Sequence, residues 1–183
     1  MLVLVLILVV ILLLCLWAFL VAPGGSDAAQ RAPFAGRMCA HRGLYTKDQT
    51  IPENSLPAFA AARKNGLGVE LDVQLSKDGD VVVFHDDDLK RVCGVDARVD
   101  ALTKEELFAL RLCGTEERMP LFTEVMETLG ADTPVIVELK SGPRNDLLCE
   151  KTLALLKTIH GIYCVESFDP RIVAWFRKNA PDI

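Results

Sequence analysis

The sequence predicts an α/β domain on a parallel sheet. Three observations lead there. After residue 37, strand-length apolar runs alternate with helix-length segments, the pattern of βα units. Val69, Leu71, Val73 and Leu75 alternate strictly with other residues, the period-2 signature of a strand with two unlike faces. Five such strands can be counted after the first 36 residues. A complete eight-stranded α/β barrel needs about 250 residues, so these observations leave two architectures open: an open α/β sheet, or the front part of a barrel.

The first 22 residues are of a different kind. Leu2 to Ala22 carries no Asp, Glu, Lys or Arg, and all 45 of those residues lie after it (20 basic plus 25 acidic). At about 1.5 Å per residue the segment spans roughly 30 Å, the thickness of a bilayer core. Trp17 sits toward one end, as an interfacial anchor does. A cleaved signal peptide has a shorter apolar core of about 7–15 residues behind basic residues, and no Lys or Arg precedes this one. The expectation is a single-pass membrane anchor over 1–22. Arg31, Arg37 and Arg42 follow it and lean toward a cytoplasmic domain, but folded domains translocate largely regardless of charge, so the side stays open. Pro23-Gly24-Gly25-Ser26-Asp27-Ala28-Ala29 starts a linker over 23–36, rich in breakers and small residues. The net charge of −5 argues against a nucleic-acid partner, which needs a basic face. The six cysteines show no CxxC spacing and are read as free thiols.

Within 37–183 the elements follow in order. Met38-Cys39-Ala40 is a short strand ending at His41-Arg42-Gly43. Ser55 caps a helix that runs to Asn65 and stops at Gly66. Val69–Leu75 is a strand, residues 76–80 a turn around Asp78-Gly79, and Val81–Phe84 a continuous apolar run expected to be a strand buried on both faces. Thr103 and Glu106 have capping-box spacing at the start of a helix to Leu110. Leu121–Leu129 is a helix ended by Gly130, Pro134–Lys140 a strand, Asn145–Ile159 a helix, Ile162–Val165 a strand and Arg171–Asn179 a helix.

Certain residues point to chemistry. Glu70 and Asp72 lie two apart on one strand, so their carboxylates share a face. If that face is buried they must be protonated, paired with cations or bound to a hard divalent metal such as Mg²⁺ or Ca²⁺; on a solvent-facing sheet they need none of this. Glu138 and Lys140 repeat the spacing near the C-terminal end of a later strand, where catalytic groups of barrels gather; the plain alternative is a surface pair. His41 and His85 each end a strand. In a parallel barrel both would reach one rim and could act as general acid and base. His160, the third histidine, is read as a helix C-terminal contact. Arg42 has the fork geometry for phosphate. Asp86, Asp87 and Asp88 read as a solvated loop, with Asp86 placed to orient His85.

Several motifs occur in register. They are His41-Arg42-Gly43, Pro52-Glu53-Asn54-Ser55 leading to Ala58-Phe59, Gly68-x-Glu70-x-Asp72-Val73, Asp78-Gly79, Val83-Phe84-His85-Asp86, Leu102-Thr103 with Glu106-Leu107, Met119-Pro120-Leu121 with Glu124-Val125, Glu138-Leu139-Lys140, and Ser167-Phe168. Together they resemble the glycerophosphodiester phosphodiesterases from Cys39 onward. The resemblance implies a TIM barrel, of which this chain would hold about five of eight βα units. It implies Glu70, Asp72 and Glu138 as ligands of a divalent metal, His41 and His85 as the acid–base pair, and Arg42 and Lys140 as phosphate-binding residues. The implied reaction is hydrolysis of a glycerophosphodiester to sn-glycerol 3-phosphate and an alcohol, in glycerophospholipid metabolism. Two other expectations stand beside it: phospholipase D-like hydrolysis of lysophospholipids, motivated by the membrane anchor, and an inactive truncated fragment, motivated by the chain's length.

Overall fold

A computed structural model describes residues 2–21 and 28–183. The first segment is one helix, α1 (Leu2–Val21), and it is long and apolar enough to cross a membrane. Residues 1 and 22 of the expected anchor and 23–27 of the expected linker lie outside the described residues. The linker's later part contains one helical turn, α2 (Ala28–Arg31).

The domain then reads β1 (Cys39–His41), α3 (Leu56–Lys64), β2 (Gly68–Leu75), β3 (Val81–Val83), α4 (Lys90–Cys93), α5 (Lys104–Phe108), α6 (Phe122–Leu129), β4 (Pro134–Leu139), α7 (Asn145–Leu156), β5 (Ile162–Glu166) and α8 (Pro170–Asn179). Strands β1, β2, β4 and β5 pair in that order, all parallel. Helix α3 begins where Ser55 accepts a hydrogen bond from the Ala58 N–H, with Pro57 in its first turn. This is a cap of the kind the sequence signals.

All eight residues of β2 are buried. Val69, Leu71 and Val73 enter one hydrophobic core with Phe59 of α3, Phe122, Val125 and Leu129 of α6, Val135 and Val137 of β4, Leu156 of α7 and Ile172 of α8. Every long helix of the domain thus packs on the same face of the sheet. Glu70, Asp72 and Gln74 occupy the opposite face, which is the lining side of a barrel wall. This arrangement decides between the two architectures in favour of the barrel type.

One strand departs from the expectation. The run Val81–Phe84 predicts a strand buried on both faces, and β3 is one, but the parallel order predicted for the sheet does not extend to it. The structure makes β3 antiparallel to β2, joined to it by the turn at residues 76–80. The run is apolar for another reason: Val81 and Val83 face the main core, while Val82 and Phe84 face a second core with Leu89, Val92, Val99, Leu107, Leu112 and Met119. The sheet thus has the five strands counted in the sequence, four of them on the parallel path. Residues 84–121 form a small lobe closed by backbone pairing of Val82 with Leu121 and by the bond from Val83 N–H to the Pro120 carbonyl. His160 also differs from its expected place. Helix α7 ends at Leu156, and His160 is exposed beyond it.

Candidate active site

The register of the parallel strands sets the site. His41 is paired with Glu70 across β1 and β2, Asp72 with Glu138 across β2 and β4, and Glu138 with Glu166 across β4 and β5. These residues form two successive rows near the C-terminal ends of the strands. His41 Nε2 lies 3.7 Å from Glu70 Oε2. The Arg42 backbone N–H donates to both the carbonyl and the side chain of Glu70, at 3.0 and 3.1 Å. Arg42 is in the left-handed region (φ 59°) and Gly43 follows at φ 81°. A Cβ on Gly43 would stand 2.9 Å from that of Ala58, so the sharp turn that sends the chain from β1 toward α3 needs glycine there.

The carboxylate face is buried, so the solvent-exposed alternative for Glu70 and Asp72 does not apply. Asp72 is fully buried and Glu70 and Glu138 nearly so. Asp72 Oδ2 accepts from Asn54 Nδ2 at 2.9 Å, and both Arg42 Nε (3.7 Å) and Lys140 Nζ (3.5 Å) stand beside the carboxylate. Lys140 Nζ also donates to Glu138 Oε1 at 2.8 Å. The pair is thus no loose surface contact. Burial depresses the Lys140 ammonium, but Glu138 and Asp72 outweigh it and hold its pKa above the ordinary value.

Among the described residues, Glu70, Glu138 and Glu166 each offer an oxygen within 4.8 Å of the others. Burial, with the Asp72 charge next, pushes the Glu70 carboxyl up to about 7. Burial, then Glu138 and Asp72, also raises Glu166. Glu70 Oε1 and Asp72 Oδ1 are buried without a hydrogen-bond donor. Crowded, orphaned carboxylate oxygens fit a hard divalent cation, which would relieve both the repulsion and the missing bonds. The structure brings Glu70 and Glu138 together as expected and adds Glu166. It sets Asp72, in the row of Glu138 and Glu166, between two cations and Asn54.

His85 reaches the rim by a route the parallel-barrel argument did not foresee. It follows the antiparallel β3, and the Phe84 N–H donates to the Asp72 carbonyl at 2.9 Å, which brings the chain back to the level of Asp72. Gln74 Nε2 then fastens the backbone on both sides of His85, at the Phe84 and Asp86 carbonyls (2.9 and 2.8 Å). His85 Nδ1 lies 2.7 Å from Asp86 Oδ1, the contact expected of Asp86. The rest of the acidic run is mostly exposed.

Sequence reasoning gave no role to Glu53, Asn54, Gln74, Arg91 or Glu166. Two carried a readable signal: Gln74 continues the Glu70–Asp72 spacing, and Glu166 ends an apolar run as Glu138 nearly does. Glu53 and Arg91 sit where no period applies. Glu53 accepts from Arg42 Nη1 at 3.0 Å and from Arg91 at 2.6 and 3.0 Å. Burial raises the Glu53 carboxyl, but the two guanidiniums outweigh it and hold it below its ordinary value.

Fold and site together define a (β/α) barrel-type domain with carboxylates, histidines and cations gathered at one rim. The model of the glycerophosphoryl diester phosphodiesterase family matches residues 41–183. The chain belongs to that family. It is 40% identical over 113 residues to a glycerophosphodiester phosphodiesterase of Caldanaerobacter subterraneus, a match covering 56% of this chain and 44% of the relative. It is 33% identical over 137 residues to a human lysophospholipase D, covering 68% of this chain and 42% of that protein. Its fold is similar to an Oleispira antarctica phosphodiesterase solved in complex with the product sn-glycerol-3-phosphate (TM-score 0.75, 27% identity, 83% of this chain and 65% of that one). The chain thus spans less than half the length of these two curated relatives. The fold is of the TIM-barrel type.

Proposed function

We propose that this chain carries the catalytic residues of a metal-dependent phosphodiesterase that hydrolyses glycerophosphodiesters to sn-glycerol 3-phosphate and an alcohol. The observation that carries this reading is the rim itself: a buried carboxylate group with orphaned oxygens, flanked by two histidines and two cations, in a member of this family. Residues 37–183 are the catalytic region in this reading. Glu70, Glu138 and Glu166, with Asp72 beside them, would hold a divalent cation. When bound, that cation supplies charge stabilisation to phosphoryl oxygens.

This chain's own side chains do the rest. Arg42 and Lys140 neutralise the phosphodiester and orient it. One of His41 and His85 accepts a proton from the attacking oxygen. The bond from phosphorus to the alcohol oxygen breaks, and the other histidine gives that oxygen a proton. The Asp86 carboxylate beside His85 Nδ1 leaves Nε2 as the nitrogen that exchanges the proton. The test is release of glycerol 3-phosphate from glycerophosphocholine by the purified chain with Mg²⁺, Ca²⁺ or Mn²⁺, and its loss with chelator. No release with any of the three cations would sink the proposal.

A second reading concerns the substrate's lipid part. Residues 3–20 of helix α1 are exposed, and one relative is a lysophospholipase D. An anchor over 1–22 would hold the rim near a bilayer and favour lysophospholipids. Comparing turnover of lysophosphatidylcholine with glycerophosphocholine, both by chain partitioned into vesicles, separates the readings. Recovery of the chain in the carbonate-washed membrane fraction tests the anchor.

A further inference from the structure

Arg91 lies on α4 in the lobe and touches none of the carboxylates that would hold a metal. Its guanidinium nevertheless makes four hydrogen bonds to two carboxylates. Nε and Nη2 donate to Asp86 Oδ2 and Oδ1 at 2.6 and 3.0 Å. Nη1 and Nη2 donate to Glu53 Oε2 and Oε1 at 3.0 and 2.6 Å. Each carboxylate then holds one further group at the rim. Asp86 Oδ1 is 2.7 Å from His85 Nδ1, and Glu53 Oε1 accepts from Arg42 Nη1 at 3.0 Å. One planar fork thus fixes two carboxylates, and through them an imidazole and a second guanidinium. Helix α4 is held in turn by Leu89 and Val92, both in the lobe's core.

The charges explain why the fork is needed. Glu53 is buried, and a buried carboxylate seeks full neutralisation. Without Arg91 the one remaining cation bonded to the Glu53 carboxylate among the described residues is Arg42, and the whole Glu53 charge would draw Arg42 away from a phosphodiester. With Arg91 present, Glu53 takes two of its three guanidinium bonds from Arg91, so less of its charge falls on Arg42. An ammonium at position 91 could carry the charge but could not grip two carboxylates at once.

Resting on the proposed phosphodiester chemistry, we propose that Arg91 is a positioning residue that sets both His85 and Arg42 through the shared carboxylates of Asp86 and Glu53. Arg91→Gln and Arg91→Lys test it by kinetics on glycerophosphocholine and by imidazole NMR of the metal-free protein. The NMR is tractable because the chain has three histidines. In the parent protein His85 holds one tautomer, with the proton on Nδ1 facing Asp86. In both variants that preference is lost, kcat falls about ten- to a hundredfold and KM rises several-fold, within the range for a displaced acid–base group. Arg91→Lys fails to rescue. Rescue by Arg91→Lys, kinetic constants within twofold of the parent, or an unchanged His85 tautomer would each overturn the inference. If the parent protein has no phosphodiesterase activity, the functional reading fails while the tautomer still judges this one. If Arg91→Gln does not fold, Asp86→Ala removes the acceptor facing His85 Nδ1 together with two of the four bonds that hold Arg91. It must lower kcat and free the tautomer; an unchanged tautomer overturns the inference.

Discussion

In the parallel sheet, a side chain at the rim is aimed by its strand. Glu70 and Asp72 point into the barrel side because Val69, Leu71 and Val73 are locked into the core on the other side, and Glu138 follows because its strand is in register with theirs. In the lobe of residues 84–121 there is no such rail. His85 is placed by hydrogen bonds: Phe84 to the Asp72 carbonyl, Gln74 to the backbone on either side, and Asp86 to the ring. The comparison teaches that the two halves of the site fail differently. Sheet residues lose position only if the fold is lost, whereas lobe residues lose it when a few polar contacts go.

The largest expected effect exploits that difference. His85→Ala should lower kcat for glycerophosphocholine by about 10²–10⁴ with the melting temperature nearly unchanged, because the ring is partly exposed and, among the described residues, bonded only to Asp86. Glu138→Gln should also abolish turnover, but it acts through cation binding, so calorimetric titration with Mn²⁺ should show weakened binding that His85→Ala does not. Equal loss of Mn²⁺ affinity in both would erase the distinction between the two regions.

Next come the two cores. Phe122→Ala in the sheet's core should cost about 3–5 kcal/mol and loosen the whole domain. Leu107→Ala, also fully buried but in the lobe, should cost about 2–5 kcal/mol. Native-state hydrogen exchange should then show lost protection within 84–121 while β2 and β4 amides keep theirs. If Leu107→Ala exposes β2 to the same extent, the lobe is no separate cooperative unit.

These differences also mark what could be read in the sequence. Alternation exposed Glu70, Asp72 and Glu138, because a strand between a core and a site writes both faces into its period. The same rule would have found Gln74 and Glu166. It misled at Val81–Phe84, where apolarity on both faces came from two cores meeting at one strand and not from a parallel sheet. Glu53, Asn54 and Arg91 were out of reach, since their positions depend on left-handed backbone at Arg42 and Asn54 and on bonds across 38 residues of chain, from Glu53 to Arg91.

A smaller effect concerns pH. In metal-free protein the Glu70 carboxyl titrates at about 7, against an ordinary value of 4.5, because of burial and then the Asp72 charge. The folded state keeps this proton after the unfolded state has lost it. Its contribution to stability is therefore fully present below about pH 4.5 and is lost as pH rises through about 7. With chelator, denaturant midpoints should decline across that window. Saturating Mg²⁺ or Mn²⁺ should raise the midpoint most at the upper end, where the ligand is already deprotonated. A midpoint flat from pH 5 to 7.5 in chelator would remove the Glu70 argument.

The smallest effect compares two caps of like chemistry in the two regions. Ser55 caps α3 and is fully buried; its hydroxyl also donates to the Pro52 carbonyl at 2.6 Å. Thr103, half-buried, caps α5 through a reciprocal box with the exposed Glu106. Each cap is worth about 0.5–2 kcal/mol. Ser55→Ala also strands a buried carbonyl and a buried N–H, and Pro52 lies one residue before Glu53, which holds Arg42. It should therefore fall at the upper end of that range and raise KM through Arg42. Thr103→Ala leaves its groups to water and should fall at the lower end with KM unchanged. Equal losses from the two, measured by chemical denaturation, would mean that burial of the cap does not separate the sheet from the lobe.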